Sequence, residues 1–79
     1  MDLKEFIEEF VDQFDDTDAS EIQADTEYHE LDEWSSMIAL SVLNVIGKKY
    51  GCTLTFEDLK KSVTVEDLFN LVVSKVSKV

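Results

Sequence analysis

Few side chains in this sequence are equipped for chemistry. Ser35 and Ser36 stand side by side, directly before an apolar stretch that begins at Met37. A hydroxyl placed there has two uses. It can cap a helix by accepting a backbone N–H. It can also anchor a phosphate-linked group, because unpaired amides and the helix dipole favour an anion at a helix start. His29 and Cys52 are the only histidine and the only cysteine. They form a nucleophile–base pair only if the fold brings them together with a third, orienting group, and nothing in the sequence supplies one. A lone cysteine is better read as a small apolar filler, and one His with one Cys is too sparse for a metal set. Asp15-Asp16-Thr17-Asp18 lacks the glycine and closing glutamate of a calcium loop, which leaves solvated charge as the better reading.

These residues must be positioned by helices. Leu3, Phe6, Ile7, Phe10, Val11 and Phe14 recur at i, i+3, i+4, i+7, i+8 and i+11, one face of a helix over about 3–15 with Asp2 as N-cap. The periodicity fades over about 16–35, a long loop in which Ile22, Tyr28 and Leu31 are the available anchors. A loop of that length is either a functional surface or holds a short helix of its own. Apolar residues resume over about 36–50, with Leu40, Leu43, Ile46 and Tyr50 at helical steps. Ser35 or Ser36 can cap this helix, Lys48 and Lys49 suit its C-terminus, and Gly51 suits the C′ position. Gly47 lies inside it at a cost of about 1 kcal/mol relative to Ala, which a close helix crossing can justify. Thr55-Phe56-Glu57-Asp58 opens a short helix over about 56–61 with a capping box in which Asp replaces Glu, and Thr64-Val65-Glu66-Asp67 opens a last helix over about 65–76 in the same way. The expected fold is therefore all-α, a single domain of three main helices and one short helix, with the long loop after the first. Phe6, Phe10 and Phe14 belong to its core, and Trp34 either pins the loop or lines a groove beside the serines.

Charge narrows the partners. The 79 residues carry a formal net charge of −11 and no arginine. A nucleic-acid binder needs the opposite sign, and an anionic membrane surface is disfavoured for the same reason. Residues 1–35 hold 14 Asp and Glu against Lys4, a net of −13, whereas residues 36–79 hold 4 acids and 6 Lys, a net of +2. Long-range attraction of a basic protein partner would act on the N-terminal half and its loop. No apolar run approaches a membrane span, the first residues are too acidic for a signal peptide, and one cysteine forms no internal disulfide. The expected protein is a cytoplasmic monomer. A domain this small leaves little room for a walled-off active site beside its core, which argues against an enzyme.

The ordered landmarks resemble those of acyl carrier proteins. Leu31-Asp32-Glu33-Trp34-Ser35-Ser36-Met37 is similar to the family's modification site, commonly Asp-Ser-Leu with Leu-x-x-Trp before it. Tyr50-Gly51-Cys52-Thr53-Leu54 resembles the family's exit from the second helix, and Thr64-Val65-Glu66-Asp67-Leu68 its entry to the last. The resemblance covers nearly the whole chain. It implies that a phosphopantetheinyl transferase attaches 4′-phosphopantetheine from coenzyme A to Ser36. The protein would then carry acyl groups as thioesters to acyl-transferring and acyl-modifying enzymes of fatty acid, lipid or specialised acyl metabolism with basic docking patches, without catalysis of its own. It implies partner recognition by Glu33, Trp34, Ser35, Met37 and Ile38. Two departures stand out. Ser35 occupies the usual Asp position, and residues 36–47 hold no acid where the family often has several. The second departure points to a more apolar docking face and a dedicated pathway. An aminoacyl or peptidyl carrier, and an unmodified acidic helical adaptor or inhibitor, are the alternative readings.

Overall fold

The computed structural model describes residues 2–77. Four α-helices pack into a small bundle: α1 Leu3–Val11, α2 Ser36–Tyr50, α3 Phe56–Lys61 and α4 Val65–Ser77. Among the described residues there is no strand, only an isolated bridge between Glu27 and Thr64. The core is one cluster in which Phe6 and Phe10 of α1, Ala39, Val42 and Ile46 of α2, Leu59 of α3, and Val65, Leu68 and Val72 of α4 are buried. The apolar steps of each helix explain why: burying one stripe per helix is what holds short helices together.

The caps that the sequence offers are made. Asp2 accepts from the Lys4 amide, and Ser35 accepts from the Ile38 amide at 3.3 Å. Thr55 and Asp58 exchange bonds of 3.0 and 3.2 Å in a complete capping box, and Thr64 and Asp67 do the same at 3.1 Å each. Gly51 ends α2 in the left-handed region at φ 65°, where a side chain would be strained. Lys49 bridges α2 to α1 through Glu5 and Glu9, both at 2.8 Å. Lys75 bridges α4 to Asp58 of α3 at 3.2 Å.

Three expectations need correction, and one open alternative is decided. First, α1 stops at Val11 rather than near residue 15. The Gln13 and Phe14 amides turn back to Phe10 and Val11 in i→i+3 bonds, so the last turn tightens. Phe14 is still buried, but the Asp15 amide is captured elsewhere.

Second, the stretch 16–35 holds short helical elements, one of the two alternatives that its length left open. It contains two 3₁₀ turns, Ala19–Glu21 and Tyr28–Glu30, the first with its own Asp18–Glu21 capping box. Ile22 and Tyr28 anchor it in the core. Third, the buried stripe of α2 is Ala39, Val42 and Ile46, and Leu40 is half exposed. This helix is apolar nearly all round its first three turns, so its neighbours choose the inner face. Fourth, no helix crossing explains Gly47. A Cβ there would meet the Cys52 carbonyl oxygen at 3.2 Å, because the chain folds back on α2 as it leaves it.

Candidate functional site

Ser36 is the first residue of α2 and its side chain is exposed. Ser35, one residue before, has extended backbone and its hydroxyl oxygen accepts from the Ile38 amide, so the two serines divide the work: one caps, the other is free. The Ser35 carbonyl takes the Ala39 amide in the first helical bond, at 2.9 Å. No acceptor among the described residues meets the amides of Ser36 and Met37. The free hydroxyl thus stands beside two unpaired donors at the positive end of the helix dipole.

The same hydroxyl borders an open groove of about 370 Å³ between α2 and α3. Ser35, Ser36 and Ala39 form the α2 wall, Phe56, Leu59 and Lys60 form the α3 wall, and His29 and Trp34 of the loop complete the lining. Trp34 does both things the sequence allowed. Its indole stacks on Phe10 at 6.3 Å and 5° and lies 4.9 Å from Tyr28, which pins the loop, while it also lines the groove. A second groove of about 380 Å³ follows further along α2, between Leu40, Leu43, Asn44 and Lys48 on one side and Cys52 and Leu54 on the other.

The loop is tied down on both sides of the site. Tyr28 is fully buried, and its hydroxyl donates to the carbonyls of Leu59 and Ser62 at the end of α3. Desolvation pushes the Tyr28 phenol far above its ordinary pKa and keeps the donor protonated. His29 stacks on Tyr28 and places Nε2 at 2.9 Å from the Leu59 carbonyl; a carbonyl only accepts, so Nε2 carries the hydrogen. The amides of Val65 and Glu66 in turn reach the Thr26 and Ala24 carbonyls at 3.1 and 2.8 Å. At the other end, Glu33 accepts from the amides of Asp15, Asp16 and Thr17 and from the Thr17 hydroxyl at 2.7–2.9 Å. The Asp15 amide is the largest of the causes that hold its carboxyl below the usual range.

The partner-recognition residues expected from sequence therefore separate. Met37 is 81% exposed and stands free. Trp34 is half-buried in the aromatic cluster, Ile38 is half-buried against the core instead of on the surface, and Ser35 is engaged as a cap. Glu33 faces the 15–17 segment and lines a different cavity, with Asp16, Glu21 and Asp32, so it does not supply the charge missing at Ser35. Cys52 lines the second groove while His29 lines the first, and desolvation raises the Cys52 thiol pKa, which opposes thiolate formation. Among the described residues no group of His, Cys, Asp and Glu is arranged to hold a metal ion. Among the described residues, no helix is long and apolar enough to cross a membrane.

Sequence reasoning missed Phe56 and Lys60 as groove residues. Their spacing of four on a short helix places them on one face; that α3 turns this face toward Ser36 is decided by packing. No protein-family model, no curated protein and no solved structure matches this chain.

Proposed function

We propose that this protein is a carrier whose Ser36 hydroxyl accepts a 4′-phosphopantetheine arm from coenzyme A. The observation that carries this reading is an exposed, uncommitted hydroxyl on the first residue of α2, bordering an apolar-walled groove. The attachment is a phosphoryl-type transfer catalysed by a partner transferase. Ser36 Oγ gives its proton to a base on that enzyme and bonds to the phosphorus bearing pantetheine. The phosphoanhydride bond of coenzyme A breaks, and adenosine 3′,5′-bisphosphate leaves. The residues present fit the resulting phosphodiester. Its charge sits at the positive end of α2, beside the unpaired Ser36 and Met37 amides. Ser35 keeps the helix start in place and leaves Ser36 free.

When bound, the arm supplies a terminal thiol that holds an acyl group as a thioester. The chain's own part is to hold the attachment point rigidly and to present it to partner enzymes, which raises the effective concentration of the tethered group. Trp34, Tyr28 and His29 brace the loop immediately before the site, so the start of α2 is fixed by the core rather than by the loop's own stiffness.

The test is direct. The protein is incubated with coenzyme A and a broad-specificity phosphopantetheinyl transferase, and the intact mass is measured. The expected result is the gain of one arm, lost in Ser36→Ala and kept in Ser35→Ala. No gain with several transferases overturns the carrier reading and favours an unmodified acidic adaptor.

A further inference from the structure

Among the described residues, the two grooves beside α2 have no acid in their linings, in a chain with 18 Asp and Glu. Each instead contains one lysine, Lys60 in the first and Lys48 in the second. Neither lysine has an ion-pair partner among the described residues; the pairs formed there use Lys49 and Lys75. The acids that flank these linings in sequence are not among the lining residues. Glu33 is bonded to the 15–17 amides, Asp58 to Lys75 and the Thr55 amide, Asp32 lines the separate loop cavity, and Glu57 lines neither groove. Large apolar side chains stand out on the same elements: Met37 and Leu40, one turn apart on α2, and Phe56, which is 50% exposed on α3.

We propose that the face formed by α2, the 52–54 connector and α3 docks an amphipathic helical segment of a partner protein whose apolar stripe is flanked by Asp or Glu. The partner's stripe would meet Met37, Leu40 and Phe56, and its acids would meet Lys48 and Lys60. From Ser36 to Lys48 the helix rises about 18 Å, at 1.5 Å per residue, the reach of about three turns of a partner helix laid along it. The occupant is chosen by charge complementarity: a basic segment finds no counter-charge in either groove and two lysines that repel it. The net charge of the chain does not oppose this at contact. At physiological ionic strength the screening length is about 8 Å, so acids beyond that distance count little against the lysines that line the grooves. A basic patch, by contrast, fits α1 and the loop. This docking does not require the arm, so a failed mass measurement and a failed titration are separate results.

The probes are two synthetic helical peptides with the same leucine stripe, one flanked by glutamates and one by lysines. Each is titrated into the isotope-labelled full chain and followed by amide chemical shifts. The glutamate peptide is expected to shift Met37, Leu40, Lys48 and Phe56, and Lys48→Glu combined with Lys60→Glu to weaken it about tenfold. The lysine peptide is expected to shift α1 and the loop instead. Both lysines are exposed, so the double variant should fold, which circular dichroism checks. A lysine peptide that seats between α2 and α3, a glutamate peptide that shifts none of these amides, or a double variant that binds it undiminished overturns the proposal. Co-sedimentation with phosphatidylserine–phosphatidylcholine vesicles that the double variant abolishes would also overturn it, and assign the face to a membrane.

Discussion

The segment from Asp15 to Glu33 and the face between α2 and α3 use their polar groups in opposite ways. In the loop, side chains close on the chain itself. One carboxylate gathers three amides and a hydroxyl, Tyr28 and His29 seize the carbonyls that end α3, and Trp34 stacks into the core. Beside α2 and α3 the side chains are left over: among the described residues Ser36 is unbonded and Lys48 and Lys60 have no ion-pair partner, while Met37, Leu40 and Phe56 face water. Within the acidic half, Glu33, Tyr28, His29 and Trp34 thus serve as scaffold, and the nearly neutral half presents a free hydroxyl, exposed apolar side chains and two lysines.

Three variants sharpen that contrast. The largest effect belongs to the loop's buried anchor. Tyr28→Phe removes a buried donor from the Leu59 and Ser62 carbonyls and should cost about 1–3 kcal/mol in denaturant unfolding. A cost near zero would mean that His29 alone holds the junction.

A smaller, pH-dependent loss is expected for Glu33→Gln. The amides bind the carboxylate form, so folding lowers the Glu33 pKa. Its stabilisation is present above the ordinary glutamate value and is lost as pH falls through the depressed one. Thermal melts should therefore separate parent and variant at neutral pH and converge in acid below the usual glutamate range. A gap that widens in acid would refute the clamp.

The smallest effect belongs to the exposed face. Met37→Ser combined with Leu40→Ser should change stability by less than about 1 kcal/mol, while sharply weakening the glutamate peptide. A large stability loss would place these residues in the core and remove them from the docking surface.

Much of the fold was legible in the sequence because its boundaries are written locally. The Ser35 cap, the two Thr–Asp capping boxes and Gly51 are each decided within four residues, and α2 and α3 run over 36–50 and 56–61 as those signals imply. Ser36 could be placed at a helix start for the same reason. The end of α1 was not legible, because the group that draws the Asp15 and Asp16 amides away lies 17 or 18 residues further on. The inner face of α2 was not legible either, since a helix apolar on most sides has no single stripe to read.

From the sequence alone came the helices, their caps and a serine at the head of the second. Those rest on hydrogen bonds and side-chain periods spanning a few residues, which any segment carries with it. Tertiary structure decided what surrounds that serine: that α3 turns Phe56 and Lys60 toward it, that Glu33 faces away, and that the acids leave the grooves empty of negative charge. The physical reason is that these depend on which apolar faces bury together. That choice is made by the packed core as a whole, so no local stretch of residues contains it.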